Sequence, residues 1–142
     1  MKAGRRDDHS RMIVVDASVL ANVLADDATD GDTARRALRG VTELTAPDLI
    51  DVETVSVLRK RWLQGTLSEQ RLTTAVTDLL RMPFERVPTR RLLSRVVELR
   101  DNISAYDACY VALAELLGWE LLTADDRLAN APGRRCTIRV LR

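Results

Sequence analysis

The sequence predicts an α/β domain in which a central parallel sheet of four to five strands carries helices on both faces. Three observations point there. Short apolar runs of strand character alternate along the chain with longer segments of helical periodicity, the order that builds parallel sheets. Two of those runs lead directly into an acid, "IVVD" (13–16) and "LLTAD" (121–125). The chain has 142 residues, 46% of them apolar, enough for one packed core.

Each element carries its own signals. "MIVVD" (12–16) is apolar and β-branched, the mark of a buried strand, and a helix follows over about 17–24. A polar turn, "ADDATDGD" (25–32), leads to a short helix over 32–39 stopped by Gly40. "ELTAP" (43–47) is a brief strand, and Pro47 suits the first turn of a long helix over 48–64, ended by Gly65. Ser68 and Glu69 open a helix running to about Arg81. "PFERVP" (83–88) brackets a third strand, and Thr89 caps a helix over 90–100. In "ISAYDACYVALAELLG" (103–118), Ser104 and Asp107 form a capping box and Gly118 ends the helix. "ELLTA" (120–124) is a fourth strand, "DDRLAN" (125–130) a short helical segment, and "CTIRVL" (136–141) a last strand.

Residues 1–11, "MKAGRRDDHSR", are expected to be a flexible tail before a domain of 12–142, with Met12 an alternative start of translation. No apolar stretch follows their charges, as a signal peptide requires, and no apolar run approaches a membrane span.

Composition excludes several function classes. The 22 basic and 21 acidic residues nearly cancel, which argues against a nucleic-acid binder held by bulk charge. Apart from Lys2 and Lys60 every one of those cations is arginine, whose planar fork matches phosphates and carboxylates. His9 is the only histidine and lies in the tail, so a Ser–His–Asp triad, an HExxH zinc site and a histidine base are excluded. Cys109 and Cys136 lack CxxC spacing and read as reduced core cysteines, which fits a cytoplasmic protein.

The acids are more informative. Asp16 ends the first strand and Asp125 lies just past the fourth, and ligands of open α/β sheets bind beyond the carboxyl ends of strands. On the helix over 48–64, Glu53 falls beside Leu49, Ile50 and Val57 within the apolar stripe. Asp51 lies roughly 160° away, in the first turn, where the macrodipole favours an acid; a helix-start charge is the favoured account of it. Asp107 has Ile103, Tyr110, Val111 and Ala114 as helical neighbours, and its capping-box position turns the carboxylate toward the helix start.

Taken singly, Asp16 and Asp125 could each be a helix or turn cap. Four carboxylates converging without Lys or Arg between them would raise one another's pKa values unless a cation were bound. Oxygen donors without His or Cys point to a hard divalent ion, Mg²⁺ or Mn²⁺. Such a cluster suits metal-assisted phosphodiester hydrolysis, with one carboxylate free to take a proton from water.

Four segments, "IVVDASVLANVL" (13–24), "APDLIDVETVSVLRK" (46–60), "SAYDACYVALAELLG" (104–118) and "LLTADDRLA" (121–129), carry these acids in order. With them the chain resembles, from Met12 to Leu141, the PIN-domain ribonucleases and specifically the VapC-type toxins of bacterial toxin–antitoxin pairs. The resemblance implies a PIN-like domain in which Asp16, Glu53, Asp107 and Asp125 are the metal-binding and catalytic acids, with Thr123 and Ser18 as supporting hydroxyls. Asp126 competes with Asp125 but falls at a capping-box position counted from Thr123, a structural role.

The resemblance further implies a Mg²⁺- or Mn²⁺-dependent endoribonuclease that cuts RNA such as tRNA or rRNA. It implies a homodimer and a VapB-type antitoxin whose tail wraps the groove. The segment 48–80 is the candidate clamp for that partner. Arg90, Arg91 and Arg95 are candidates to flank the RNA, with a solvated helix face as the competing account. Two other readings remain in view. One is a phosphoacceptor signalling domain, which would want a lysine near the acids. The other is a PIN-like binding module without catalysis, against which the retention of all four acids counts.

Overall fold

In the computed structural model, which describes residues 11–142, five parallel strands form one sheet in the order β3-β2-β1-β4-β5. β1 (Met12–Val15) leads into α1 (Ala17–Ala25) and α2 (Thr29–Leu38); β2 (Glu43–Pro47) leads into α3 (Ile50–Leu63) and α4 (Glu69–Arg81). β3 (Glu85–Val87) is followed by a 3₁₀ turn (Thr89–Leu92), α5 (Leu93–Glu98) and α6 (Ala105–Leu117). β4 (Glu120–Thr123), α7 (Asp126–Ala129) and β5 (Ile138–Val140) complete the chain.

β1 lies at the centre, and Val14 and Val15 are fully buried, because helices cover both faces of the sheet. One layer holds α1 packed on α2, α3 and α4; α6, with α5 against it, lies across β1, β2 and β4. The chain leaves β1 toward β2 on one side and reaches β4 on the other. Strand order therefore reverses at β1, and a crevice opens beyond the carboxyl ends of β1 and β4.

Several boundaries differ from those the sequence suggests, each for a local reason. α2 begins at Thr29 and not at 32, because Asp26 Oδ1 accepts hydrogen bonds from the Ala28 and Gly31 amides and seeds the turn early. Gly31 is required there, since a Cβ would lie 1.8 Å from the Asp26 carbonyl oxygen. Pro47 ends β2 and does not enter the helix; α3 starts at Ile50, because Asp48 is tied sideways to β3. Its amide donates to the Val87 carbonyl at 2.7 Å, and its carboxylate accepts from the Thr89 amide and hydroxyl. That use of Thr89 removes it as a cap, and the expected helix over 90–100 becomes a 3₁₀ turn followed by the six residues of α5. Gly118, at φ 70°, ends α6 in the left-handed conformation as expected.

Asp51 does more than neutralise a helix start. Its carboxylate meets Arg86 Nη2 at 3.0 Å and Nε at 3.2 Å, and that guanidinium also donates to the carbonyls of Leu79, Met82 and Phe84. The group lies 3.8 Å from the centroid of the Phe84 ring. Arg86 thus ties the end of α4, the following loop and β3 to the start of α3. Arg86→Ala, which strands these acceptors, is expected to cost about 2 kcal/mol, read as a lowered midpoint in urea with the slope unchanged.

The expected tail lies outside the described residues, His9 and Lys2 included, except for Arg11. Arg11 departs from that expectation: its carbonyl accepts from the Thr42 amide at 2.7 Å and from the Glu43 amide, extending the pairing of β1 with β2 at its start. Among the described residues no helix is long and apolar enough to cross a membrane.

Candidate active site

The crevice beyond β1 and β4 is a cleft of about 510 Å³ lined by Asp16, Glu53, Asp107 and Asp125, with Ser18, Ser56, Tyr106 and Tyr110 among the other walls. Four elements deliver the acids. Asp16 caps α1 directly after the central strand; Glu53 stands in the first turns of α3; Asp107 stands in the first turn of α6; Asp125 caps α7 just after β4. Among the described residues, no Lys, Arg or His lines this cleft.

Asp16 is the most buried of the four, at 6% exposure, and its carboxylate is held by three donors. The Ser18 hydroxyl donates to Oδ1 at 2.6 Å, the Val19 amide to Oδ1 at 3.2 Å, and the Thr123 hydroxyl to Oδ2. Burial lifts the Asp16 pKa to about 6, although these three donors all pull it down. Ser18 and Thr123 act in both directions. Ser18 Oγ accepts from the Ala124 amide, and Thr123 Oγ1 accepts from the Asp125 amide at 3.0 Å. Each hydroxyl therefore clamps the end of β1 to the end of β4 and aims Asp16 while doing so.

Thr123→Val keeps the volume and deletes this link. It is expected to push the Asp16 pKa further up and to cost about 1 kcal/mol, whereas Thr123→Ser restores both. Carboxyl NMR titration with thermal melts checks this.

Glu53 is half-buried, on the flank of the buried stripe and not within it. That stripe runs through Ile50, Thr54 and Leu58, one helical step away. Its Oε1 accepts from the Tyr110 hydroxyl at 2.6 Å. Burial raises the Glu53 pKa, the Tyr110 hydroxyl lowers it, and the charge of Asp107 raises it. Asp107 is itself raised by burial and then by the charge of Asp125. Ser104 caps α6, its hydroxyl oxygen accepting from the Asp107 amide at 3.2 Å. Asp125 alone is lowered, by Arg127, whose guanidinium grips it through Nε at 3.2 Å and Nη2 at 3.1 Å.

All six residues singled out by sequence thus meet at one end of the sheet. Tyr110, a helical neighbour of Asp107, has a role beside Glu53 as well; its place three residues after Asp107 on one helix face is the signal for it in the sequence. Asp126 has a structural role, but not the expected one. Asp125 is the cap, accepting from the Arg127 amide, while Asp126 pairs with Arg142 at 2.6 Å. Arg95 is not free to flank a substrate. It is held by Glu115 at 2.6 Å, by Glu98 at 3.1 Å and by the Gly133 carbonyl, tying α5 to α6 and the loop before β5. Arg90 and Arg91 are exposed. Lys60 is exposed on α3 and does not line the cleft, so among the described residues the lysine expected of a phosphoacceptor domain is not at the acids.

Among the described residues, no three acidic, histidine or cysteine side chains already converge to ligating distance. The donor set nevertheless fits a hard divalent ion. It is all oxygen, three of its carboxylates carry raised pKa values, and Asp16 keeps an unused lone pair after its three donors.

Comparison with known proteins agrees with this layout. The PIN domain family model matches residues 13–134. Ribonuclease VapC1 of Mycobacterium tuberculosis is 38% identical over 130 residues, covering 91% of this chain and 97% of that protein. Two solved structures share the fold. VapC20 of M. tuberculosis, described as a sarcin-ricin loop cleaving toxin, has a TM-score of 0.62 at 18% identity, covering 87% of this chain and 96% of that one. VapBC2 of Rickettsia felis, bound to a DNA fragment from its promoter, has a TM-score of 0.67 at 10% identity, covering 92% and 99%. By the family match and the identity to VapC1 together, this chain belongs to the PIN-domain family, as a protein of the VapC type.

Proposed function

We propose that this chain is a Mg²⁺- or Mn²⁺-dependent endoribonuclease, the toxin of a VapBC-type pair, acting in the cytoplasm. The observation that carries the reading is the cleft itself: four carboxylates, with no basic side chain among the described residues that line it, at the switch point of a parallel sheet. The ribonuclease name of the relatives supports the reaction class, and the toxin–antitoxin structures with this fold support the partner. RNA with a single-stranded loop, such as tRNA or rRNA, is the proposed substrate, in keeping with the description of VapC20.

When bound, a divalent ion would lower the pKa of a water and stabilise the charge that grows on phosphate and leaving oxygen. Asp16, Asp107 and Asp125 are the residues proposed to hold it. Asp16 contributes a carboxylate already aimed by Ser18 and Thr123. Glu53, half-buried with a raised pKa and steadied by Tyr110, is suited to accept the water's proton. Arg90 and Arg91, exposed beyond β3, are proposed to flank the RNA.

For the antitoxin we assign the outer face of α3 and α4, where Val52, Val55, Trp62, Leu63 and Leu80 are exposed. A homodimer is part of the same proposal. The test is incubation of the purified protein with total RNA and Mg²⁺ or Mn²⁺, followed by mapping of the new ends. Discrete cuts that EDTA abolishes, and suppression of growth arrest by a co-expressed antitoxin, are expected. Intact RNA after incubation with folded, metal-supplied protein would overturn the proposal.

A further inference from the structure

Among the described residues, Arg127 is the one cation paired with any of the four acids, and its setting is unusual for a structural ion pair. Its side chain is 90% exposed, yet its Nε and Nη2 form a two-pronged grip on both oxygens of Asp125. Asp125 thus lines the main cleft with the other three acids while both of its oxygens are held by Arg127. No triad of acids reaches ligating distance among the described residues, and Asp125 is the acid whose charge is neutralised elsewhere. Beside this pair lies a second cleft of about 400 Å³, lined by Asn102, Ser104, Asp107 and Arg127. Asp107 borders both clefts; Arg127 lines the side cleft, and the Asp125 it holds lines the main one.

We propose that Arg127 is an exchangeable counter-ion. It occupies Asp125 while no divalent ion is bound, is displaced when the ion binds, and then serves an RNA phosphate in the side cleft. Exposure makes the exchange cheap, because water screens a solvated pair of this kind and competes for both partners. A guanidinium released there keeps its planar donor fork, the geometry that phosphate oxygens accept in pairs. The backbone hydrogen bond from the Arg127 amide to Asp125 Oδ1, at 2.9 Å, is independent of the side chain, so the cap of α7 survives its loss.

The inference rests on the metal-binding reading above, and its test separates the two. Mn²⁺ binding to the full-length protein without RNA is measured by calorimetry or electron paramagnetic resonance. Arg127→Ala is expected to bind Mn²⁺ about two- to fivefold more tightly than wild type. The difference should shrink as NaCl is raised and vanish in an Asp125→Asn background. In cleavage of an RNA stem–loop at saturating Mn²⁺, Arg127→Ala should raise KM by a larger factor than it lowers kcat. Unchanged or weaker Mn²⁺ binding by Arg127→Ala overturns the exchange, and an unchanged KM overturns the handover to RNA. A wild-type protein that binds no Mn²⁺ at all overturns the metal reading itself.

Discussion

Asp107→Asn is expected to lower metal-dependent RNA cleavage by at least about a hundredfold while the protein stays folded. Asp107 is the acid that feels or is felt by each of the others: its charge raises Asp16 and Glu53, and the charge of Asp125 raises it. Neutralising it removes a proposed ligand and the centre of the field that recruits a cation. The fold should not suffer. The start of α6 is capped by Ser104 through the backbone amide of Asp107, which Asn retains. Relief of carboxylate repulsion should hold or raise the metal-free melting temperature. Glu53→Gln should lose activity comparably. Asp51→Asn, two residues away on the same helix, should keep its activity and lose a little stability, because its partner is Arg86. Cleavage rates with melting curves for the three variants decide the matter. Undiminished cleavage by folded Asp107→Asn protein would falsify the carboxylate mechanism.

The same three residues show how much of the site could be read from sequence. Strand ends and helix phasing are local quantities, so Asp16, Asp107 and Asp125 could be assigned to one rim of a parallel sheet from alternation and caps alone. Glu53 could be separated from Asp51 by helical angle, but only approximately: the buried stripe is Ile50, Thr54 and Leu58, and Glu53 stands beside it. What could not be read depends on partners distant in the chain. Arg86 lies 35 residues from Asp51, Tyr110 lies 57 residues from Glu53, and Thr123 lies 107 residues from Asp16. No periodicity encodes such pairs. Arg95 shows the same limit from the other side: its exposed-looking helix position concealed a grip on Glu115. Boundaries slipped for a related reason, since Asp26, Asp48 and Thr89 spend their side chains on neighbouring backbone and decide where helices begin.

The metal-free protein is expected to lose stability as pH rises from about 4 to about 6.5, and Mg²⁺ or Mn²⁺ to restore it. Asp16 sets the sign. Its pKa is raised from 3.8 to about 6 by burial. Below 3.8 it is protonated in both folded and unfolded chains, and its contribution is fully present. Between the two values the folded chain keeps a proton that the unfolded chain has released, so each rise in pH favours unfolding. Above about 6 the folded chain carries a buried charge, and the loss is complete at about 3 kcal/mol. Glu53 and Asp107 are raised as well and push the same way. Asp125 and Glu115 are lowered; the stability they add is present above their ordinary values and is lost only as pH falls below them.

A divalent ion favours the ionised carboxylates, so its stabilising effect should be largest above pH 6 and fade toward pH 4.5. Melting temperatures across this range, with EDTA and with Mg²⁺ or Mn²⁺, check both slopes. Asp16→Asn should flatten the metal-free slope and remove most of the gain from the ion. A metal-free melting temperature that climbed steadily to pH 7 would mean that the buried carboxylate is ionised without cost. In that case the cation would have no electrostatic deficit at Asp16 to relieve, and the burial of that residue would serve packing alone.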